Sequence, residues 1–380
     1  MALLLDLTAI AKHHTDDALE FLHKAIAHGS DEIWDEHPDP AVRKLIELFT
    51  QRGLLKLEEV RKELIAWSRG ARQKPGLRQE QPPGAMERWG QDELKIVRLY
   101  LERLPSQEWT LNDHMMMVDY LVQRYLPPDE LKSEAEWLAT RSVLMGRVQA
   151  NMELKAKQME IVAAHLPIAL GQALSRFPMT PAQRQAIEYA NVHAGENVRK
   201  FKDDTRHALR EVVTRRARDR ALGIERGSLQ TELVDRFAIL NRDWRRIAVT
   251  ESGEALNQVH IASLKPGMTV KRVEQYRGAC PFCRSIDGVI ATVVAPDAPD
   301  KDGDTQIWIG KSNVGRSAAP RKRVGDELVP RPADERWWLP AGLAHPNCRG
   351  RWVTSGIQMQ QGDDPDFHKW LEQTLSGGKK

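Results

Sequence analysis

All three cysteines of this 380-residue chain fall into two short knuckles of identical spacing, Cys280-Pro281-Phe282-Cys283 and His345-Pro346-Asn347-Cys348. No other feature restricts the fold as strongly. Each knuckle offers two soft donors on one tight turn, and zinc accepts sulfur and imidazole nitrogen tetrahedrally, with no preference imposed by its filled d shell. If one ion takes Cys280, Cys283, His345 and Cys348, the chain between the knuckles must return to its own start, so the region folds as a unit even with a thin core. Four protein donors leave no open position, so the zinc expected here is structural. A disulfide framework would need more cysteines and a secreted context.

Two other readings of the thiols compete with zinc. Cys-Pro-Phe-Cys is also a dithiol sequence that redox proteins place at a helix start. Here Asp287-Gly288 ahead of Val289-Ile290 predicts a hairpin turn in place of a helix, which weighs against that reading. Asp287 and Gly288 are then turn residues, the carboxylate bonding nearby amides. Plain packed thiols fit poorly beside the prolines and polar neighbours of both knuckles.

The N-terminal two-thirds reads as helix. With 41% hydrophobic and 29% charged residues the chain has the balance of a soluble helical protein, and its length predicts two or three domains. Residues 1–72 are expected to form a helical domain, with helices over 6–27, 39–52 and 57–68. Gly29-Ser30 and Gly53 supply stops, and Asp39-Pro40 places a capping residue ahead of proline at the first helical position. Residues 73–90, rich in Pro, Gly and charge, form the expected linker. Residues 91–228 predict a long-helix bundle or elongated arm, with long helices over 130–165 and 182–222. A further helix over 226–263 leads into a small mixed domain spanning 229–356, with strand-like runs at 268–276 and 288–294 and a loop over 296–332. A tail, 357–380, carries a helix at 365–375. The fold class expected is therefore α+β, mostly helical, with a small C-terminal zinc-stapled domain.

The apolar run at Met1 stops at Asp6 without a cationic start, so neither a signal peptide nor a membrane span is expected, and the chain is read as cytosolic. A net charge of +3 is too mild to mark a nucleic-acid binder.

Trp244-Arg-Arg-Ile-Ala-Val-Thr250-Glu251, then Cys280-x-x-Cys283-x-x-x-Asp287-Gly288, then His345-Pro346-Asn347-Cys348-Arg349, resemble in order and spacing the signature of the phage Mu F-like minor head protein (head morphogenesis) family. The likeness covers roughly 229–354. Relatives often follow the last arginine with another cysteine, whereas Gly350 stands here. The resemblance implies a viral protein of the capsid interior, made in the host cytoplasm and bound to the portal and other head proteins. It would act in procapsid assembly, DNA packaging or DNA ejection. Neither a membrane nor a small-molecule substrate is expected.

Other candidate residues are weighed on their own. Thr250, Glu251 and Arg349 are expected to be structural, Glu251 bonding backbone amides or Arg349 if its helix packs on the small domain. Arg206, Arg210, Arg215, Arg216, Arg218 and Arg220 form a basic run that suits either a solvated face or non-specific phosphate contacts to packaged DNA. His13, His14, His193 and His207 have no carboxylate or histidine at ligand spacing and read as packed or solvated. Trp337, Trp338 and Trp352 flank the second knuckle and are expected to pack over it. No catalytic residue is expected. The rival function, a zinc-supported nuclease of the His-Asn-His type, lacks an Asp-His or His-His pair before a helix between the knuckles.

Overall fold

A computed structural model describes residues 37–70, 89–104, 109–151, 155–167, 170–224, 228–354 and 365–377. The helix expected at 6–27, residues 73–88 of the expected linker, and the tail outside 365–377 lie outside the described residues. Among the described residues about 64% are helical and the strands are confined to the C-terminal region, so the fold is helix-dominated α+β. Among the described residues no helix is long and apolar enough to cross a membrane.

The chain divides into two compact units. Of the described residues, the first comprises those within 49–134 and 196–245, the second those within 37–48, 135–195 and 246–377. The helices in chain order are α1 (Pro40–Gly70), α2 (Gln91–Arg103), α3 (Leu111–Tyr125), α4 (Pro128–Asn151), α5 (Ala156–His165), α6 (Leu170–Arg176), α7 (Pro181–Ala221) and α8 (Leu229–Ala262).

In the first unit Gly53 does not stop a helix: α1 runs straight through it. A Cβ at Gly53 would sit 1.9 Å from Trp244 Nε1. The glycine is therefore a recess for the indole, whose N–H donates to the Phe49 carbonyl at 3.0 Å and whose ring stacks on Phe49 at 4.5 Å. Trp244, fully buried, is thus a packing anchor.

In the second unit α1 starts as the sequence suggests. Asp39 accepts from the Val42 N–H at 3.3 Å, and Pro40 occupies the first helical position. The other oxygen of Asp39 lies 3.6 Å from Arg351 and 2.5 Å from Gln149 Nε2, so the cap also ties down the chain end of the small domain. Helices α4 and α8 touch at Gly146, where a Cβ would come within 2.4 Å of the Leu256 carbonyl oxygen.

After α8 come β1 (Thr269–Val273), α9 (Pro281–Ile286), β2 (Ile290–Val293), β3 (Gln306–Ile307), β4 (Arg321–Val324), β5 (Glu327–Pro330), β6 (Arg351–Thr354) and α10 (Pro365–Gly377). The main sheet has the order β3-β2-β1-β6, with β1 antiparallel to both β2 and β6 and β2 parallel to β3. Segment 296–332, expected as a loop, contains β3 and a separate β4–β5 hairpin turning at Gly325, φ 61°. Strand β3 is only two residues long, and β4 and β5 are short, charged and largely exposed, so no alternating apolar pattern is left to read. The module's core holds Val270, Ile286, Ala291, Val293, Ile307, Leu343 and Trp352 together with Cys283 and Cys348 themselves.

Two buried histidines set an acid limit on the second unit. Burial pushes His260 down to about 4, and both of its ring nitrogens lack a hydrogen-bond partner. Burial, helped by the nearby Arg349 charge, pushes His37 down to about 3. In the unfolded chain both titrate near 6.5, so their contribution to stability is whole above that pH. It is lost as pH falls from about 6.5 towards the folded values, because the unfolded chain takes up the protons first. Replacing His260 with Leu is expected to flatten the acid limb of a urea-melt series between those limits by about 3 kcal/mol. An unchanged slope in the variant would place the titration elsewhere.

Candidate metal centre

The first knuckle is built by a helix. Cys280 is the N-cap of α9, Pro281 follows at the first position, and the Cys283 N–H points at Cys280 Sγ at 3.4 Å. The hairpin expected over this motif is absent; the turn comes after the helix, with Asp287 as its C-cap. Cap and proline together are a local helix start that outweighs the β-branched residues downstream. Asp287 accepts from the Glu274 N–H at 2.9 Å and lies 3.3 Å from Gln275 Nε2, while Gly288, at φ 80°, donates to the Arg272 carbonyl at 2.9 Å. Both are turn residues that fasten α9 to the end of β1.

The tertiary fold brings the second knuckle onto the first. His345 Nε2 lies 3.4 Å from Cys280 Sγ and 3.3 Å from Cys283 Sγ, and Cys283 Sγ lies 3.8 Å from Cys348 Sγ. The hydrogen bond from His345 Nδ1 to the Pro346 carbonyl, 2.8 Å, places the ring proton on Nδ1 and leaves the Nε2 lone pair turned to the sulfurs. Donor atoms of Cys280, Cys283 and His345 form one group within 4.8 Å, and those of Glu274, Cys283 and Cys348 form a second. Glu274 is committed to Arg272 Nε at 2.7 Å, which leaves Cys348 as the fourth soft donor. The four residues can hold a metal ion.

Cys348 Sγ faces both hydrogen-bond donors and a carboxylate, Glu274 Oε2 at 3.6 Å. Around Cys348 Sγ stand Tyr276 Oη at 3.4 Å, the Gly350 N–H at 3.4 Å and Arg272 Nη2 at 3.9 Å. The shared hydrogen bond with Cys283, together with burial, pushes the Cys348 thiol well above its ordinary range, so without a cation the pair retains a proton that a metal would displace. Burial pushes Cys280 upward, yet the Cys283 N–H and thiol and the His345 ring outweigh it and lower the thiol overall. Trp337 stacks on the His345 ring at 5.3 Å, and Phe282 meets Trp337 edge-on at 5.2 Å, covering one side. Trp352 is buried beneath, its N–H bonded to the Pro340 and Ala341 carbonyls. Trp338 packs against Trp308 at 5.6 Å, away from the ligand ring. Gly350 has no room for a side chain: a Cβ would lie 2.0 Å from Glu274 Oε1.

Thr250 Oγ1 accepts from the Asn347 N–H at 2.9 Å, and Arg349 is buried. Glu251, also buried, accepts from His193 Nδ1 at 2.8 Å. His193 therefore has the carboxylate partner that sequence spacing did not reveal, because the partner lies on another helix. His193 and His345 both line a cavity of about 270 Å³, with Tyr189, Thr250, Glu254 and Trp337. His207 is exposed on α7, while His13 and His14 lie outside the described residues.

The basic run is largely committed to carboxylates within the first unit. Arg206 and Arg210 both bind Asp119, at 2.8 and 2.5 Å, while Arg215 and Arg216 approach Glu232 at 3.4 and 3.8 Å. Arg218 is exposed beside Asp219, and the side chain of Arg220 lies outside the described residues.

Sequence reasoning missed Arg272, Glu274, Tyr276, Glu254 and Asn257. A signal was present for two of them: Glu254 and Asn257 follow Thr250 at helical spacing, on one face of the helix. No family model, curated protein or solved structure matches the chain.

Proposed function

We propose that this chain is a phage minor head protein: a portal-associated component of the capsid interior that acts in procapsid assembly, DNA packaging or DNA ejection, its C-terminal module stapled by one structural zinc. The observation that carries the reading is the convergence of the two knuckles, since Cys280, Cys283, His345 and Cys348 are the same residues on which the Mu F-like resemblance rests. A tetrahedral zinc with bonds of about 2.3 Å to sulfur and about 2.0 Å to nitrogen has edges of about 3.8 Å between sulfurs and about 3.5 Å from sulfur to nitrogen. Three of the six edges, at 3.8, 3.4 and 3.3 Å, match within a few tenths of an ångström. Zinc, when bound, supplies no chemistry beyond crosslinking, because all four positions are filled by the chain.

The helical part of the chain offers protein-binding surface and the stapled module a compact terminus. The expected result of co-expressing the chain with the portal protein of its own phage, with a tag on one of them, is recovery of both at fixed stoichiometry. Portal and chain that elute separately from size exclusion, at concentrations where each is folded, would remove the assembly reading.

A further inference from the structure

Helix α8 shapes the second knuckle. Thr250, Gly253, Glu254 and Asn257 recur at three-and-four spacing and share one face of the helix. Thr250 Oγ1 accepts from the Asn347 N–H at 2.9 Å, and Glu254 accepts from the Leu343 N–H at 2.6 Å. Asn257 donates to the Gly350 carbonyl at 3.0 Å and accepts from the Trp352 N–H at 3.0 Å. Gly253 admits the Leu343 side chain, which a Cβ would meet at 3.0 Å. One helix face thus fixes the backbone of 343–352, a segment without helix or strand until β6 begins.

Of these bonds, the one from Thr250 falls inside the knuckle. Asn347 stands between the two donor residues at φ 66°, a left-handed conformation that L side chains enter at a cost. We infer that Thr250 is a positioning residue of the metal centre: by fixing the Asn347 N–H, it sets the placement of the His345 and Cys348 donors before an ion arrives. The inference rests on reading the knuckles as a metal site. Its physical basis is preorganisation, since donors already ordered lose less conformational freedom on binding. Outer partners of metal ligands typically contribute about 10–100-fold in affinity.

The test uses the full chain with cobalt(II) as a visible-range probe and a chromophoric chelator to time zinc release. Thr250→Val, which keeps the shape and removes the hydroxyl, is expected to bind cobalt about 10–100-fold more weakly and to release zinc faster. Thr250→Ser, which keeps the hydroxyl, is expected to stay near the parent. In the metal-free parent chain the Asn347 amide is expected to exchange slowly with deuterium, a readout that needs no variant. A valine variant with parental cobalt affinity and release rate, beside a parent that gives a tetrahedral cobalt spectrum, overturns the role of Thr250. So does rapid exchange at Asn347, or a Ser variant as weak as Val. A parent chain with no tetrahedral cobalt spectrum instead removes the metal centre, and this role with it.

Discussion

Cys283→Ser is expected to abolish zinc retention and to open residues 268–354 to protease, with little change in far-UV circular dichroism. Cys283 is the sulfur that both donor groups share, 3.3 Å from His345 Nε2 and 3.8 Å from Cys348 Sγ, so its loss breaks both groups at once. It is also a buried member of the core, and that core is thin: several of its members are alanines, and two are the thiols themselves. If the proposed zinc is bound, such a module would draw much of its folding free energy from the ion, since apparent binding energies of structural zinc reach about 10–16 kcal/mol in small zinc-dependent domains. Helix content hardly registers the loss, because the one α-helix among residues 268–354, α9, spans six residues. Treating the parent chain with a chelator should give the same protease pattern, and metal analysis should return about one zinc per chain beforehand. A metal-free chain as resistant as the metal-loaded one would show that the thiols are packing residues and nothing more.

Arg272→Ala is expected to cost about 3–5 kcal/mol, the second large effect in the molecule. Arg272 and Glu274 are both fully buried, and their ion pair spans 2.7 Å. The guanidinium also donates to the Gly342 carbonyl at 2.9 Å and lies over the Trp352 ring. Truncation leaves Glu274 as an uncompensated buried charge beside the thiols of Cys283 and Cys348. Removing both charges together, as in Arg272→Met with Glu274→Gln, is expected to recover most of the loss, because the desolvation cost of the pair disappears with it. Urea melts of Arg272→Met, Glu274→Gln and the double variant form the needed cycle. A single variant that loses under about 1 kcal/mol would place the pair in contact with water.

How much could be read without coordinates differs by element, and the difference follows the range of the interaction. The start of α1 at Asp39-Pro40 is a local device, a side chain bonding an amide three residues on, and it lies where the sequence puts it. The long helices α7 and α8 and the β1 and β2 strands follow from periodicity, which needs only a window of neighbouring residues. The first knuckle shows local signals in conflict. Asp287-Gly288 does make a turn, but Cys280 and Pro281 begin a helix just before it. That helix removes the context argument against dithiol chemistry; what favours a metal instead is the arrival of His345 and Cys348 beside the thiols.

What the sequence determined by itself was the donor set, because zinc ligands are restricted to a few residue types at short spacings and this chain holds just enough of them. Periodicity likewise determined the helix-dominated class. The tertiary structure alone decided that Gly53 is a recess for Trp244, that His193 pairs with Glu251, that Arg206 and Arg210 close on Asp119, and that the Arg272–Glu274 pair lies against Cys348 in the space a side chain at Gly350 would need. Each of those contacts joins residues that packing brings together and that no local period or spacing marks. The energies involved, of close packing and of buried charge, depend on what surrounds a group in space, and neighbours along the chain carry no record of that.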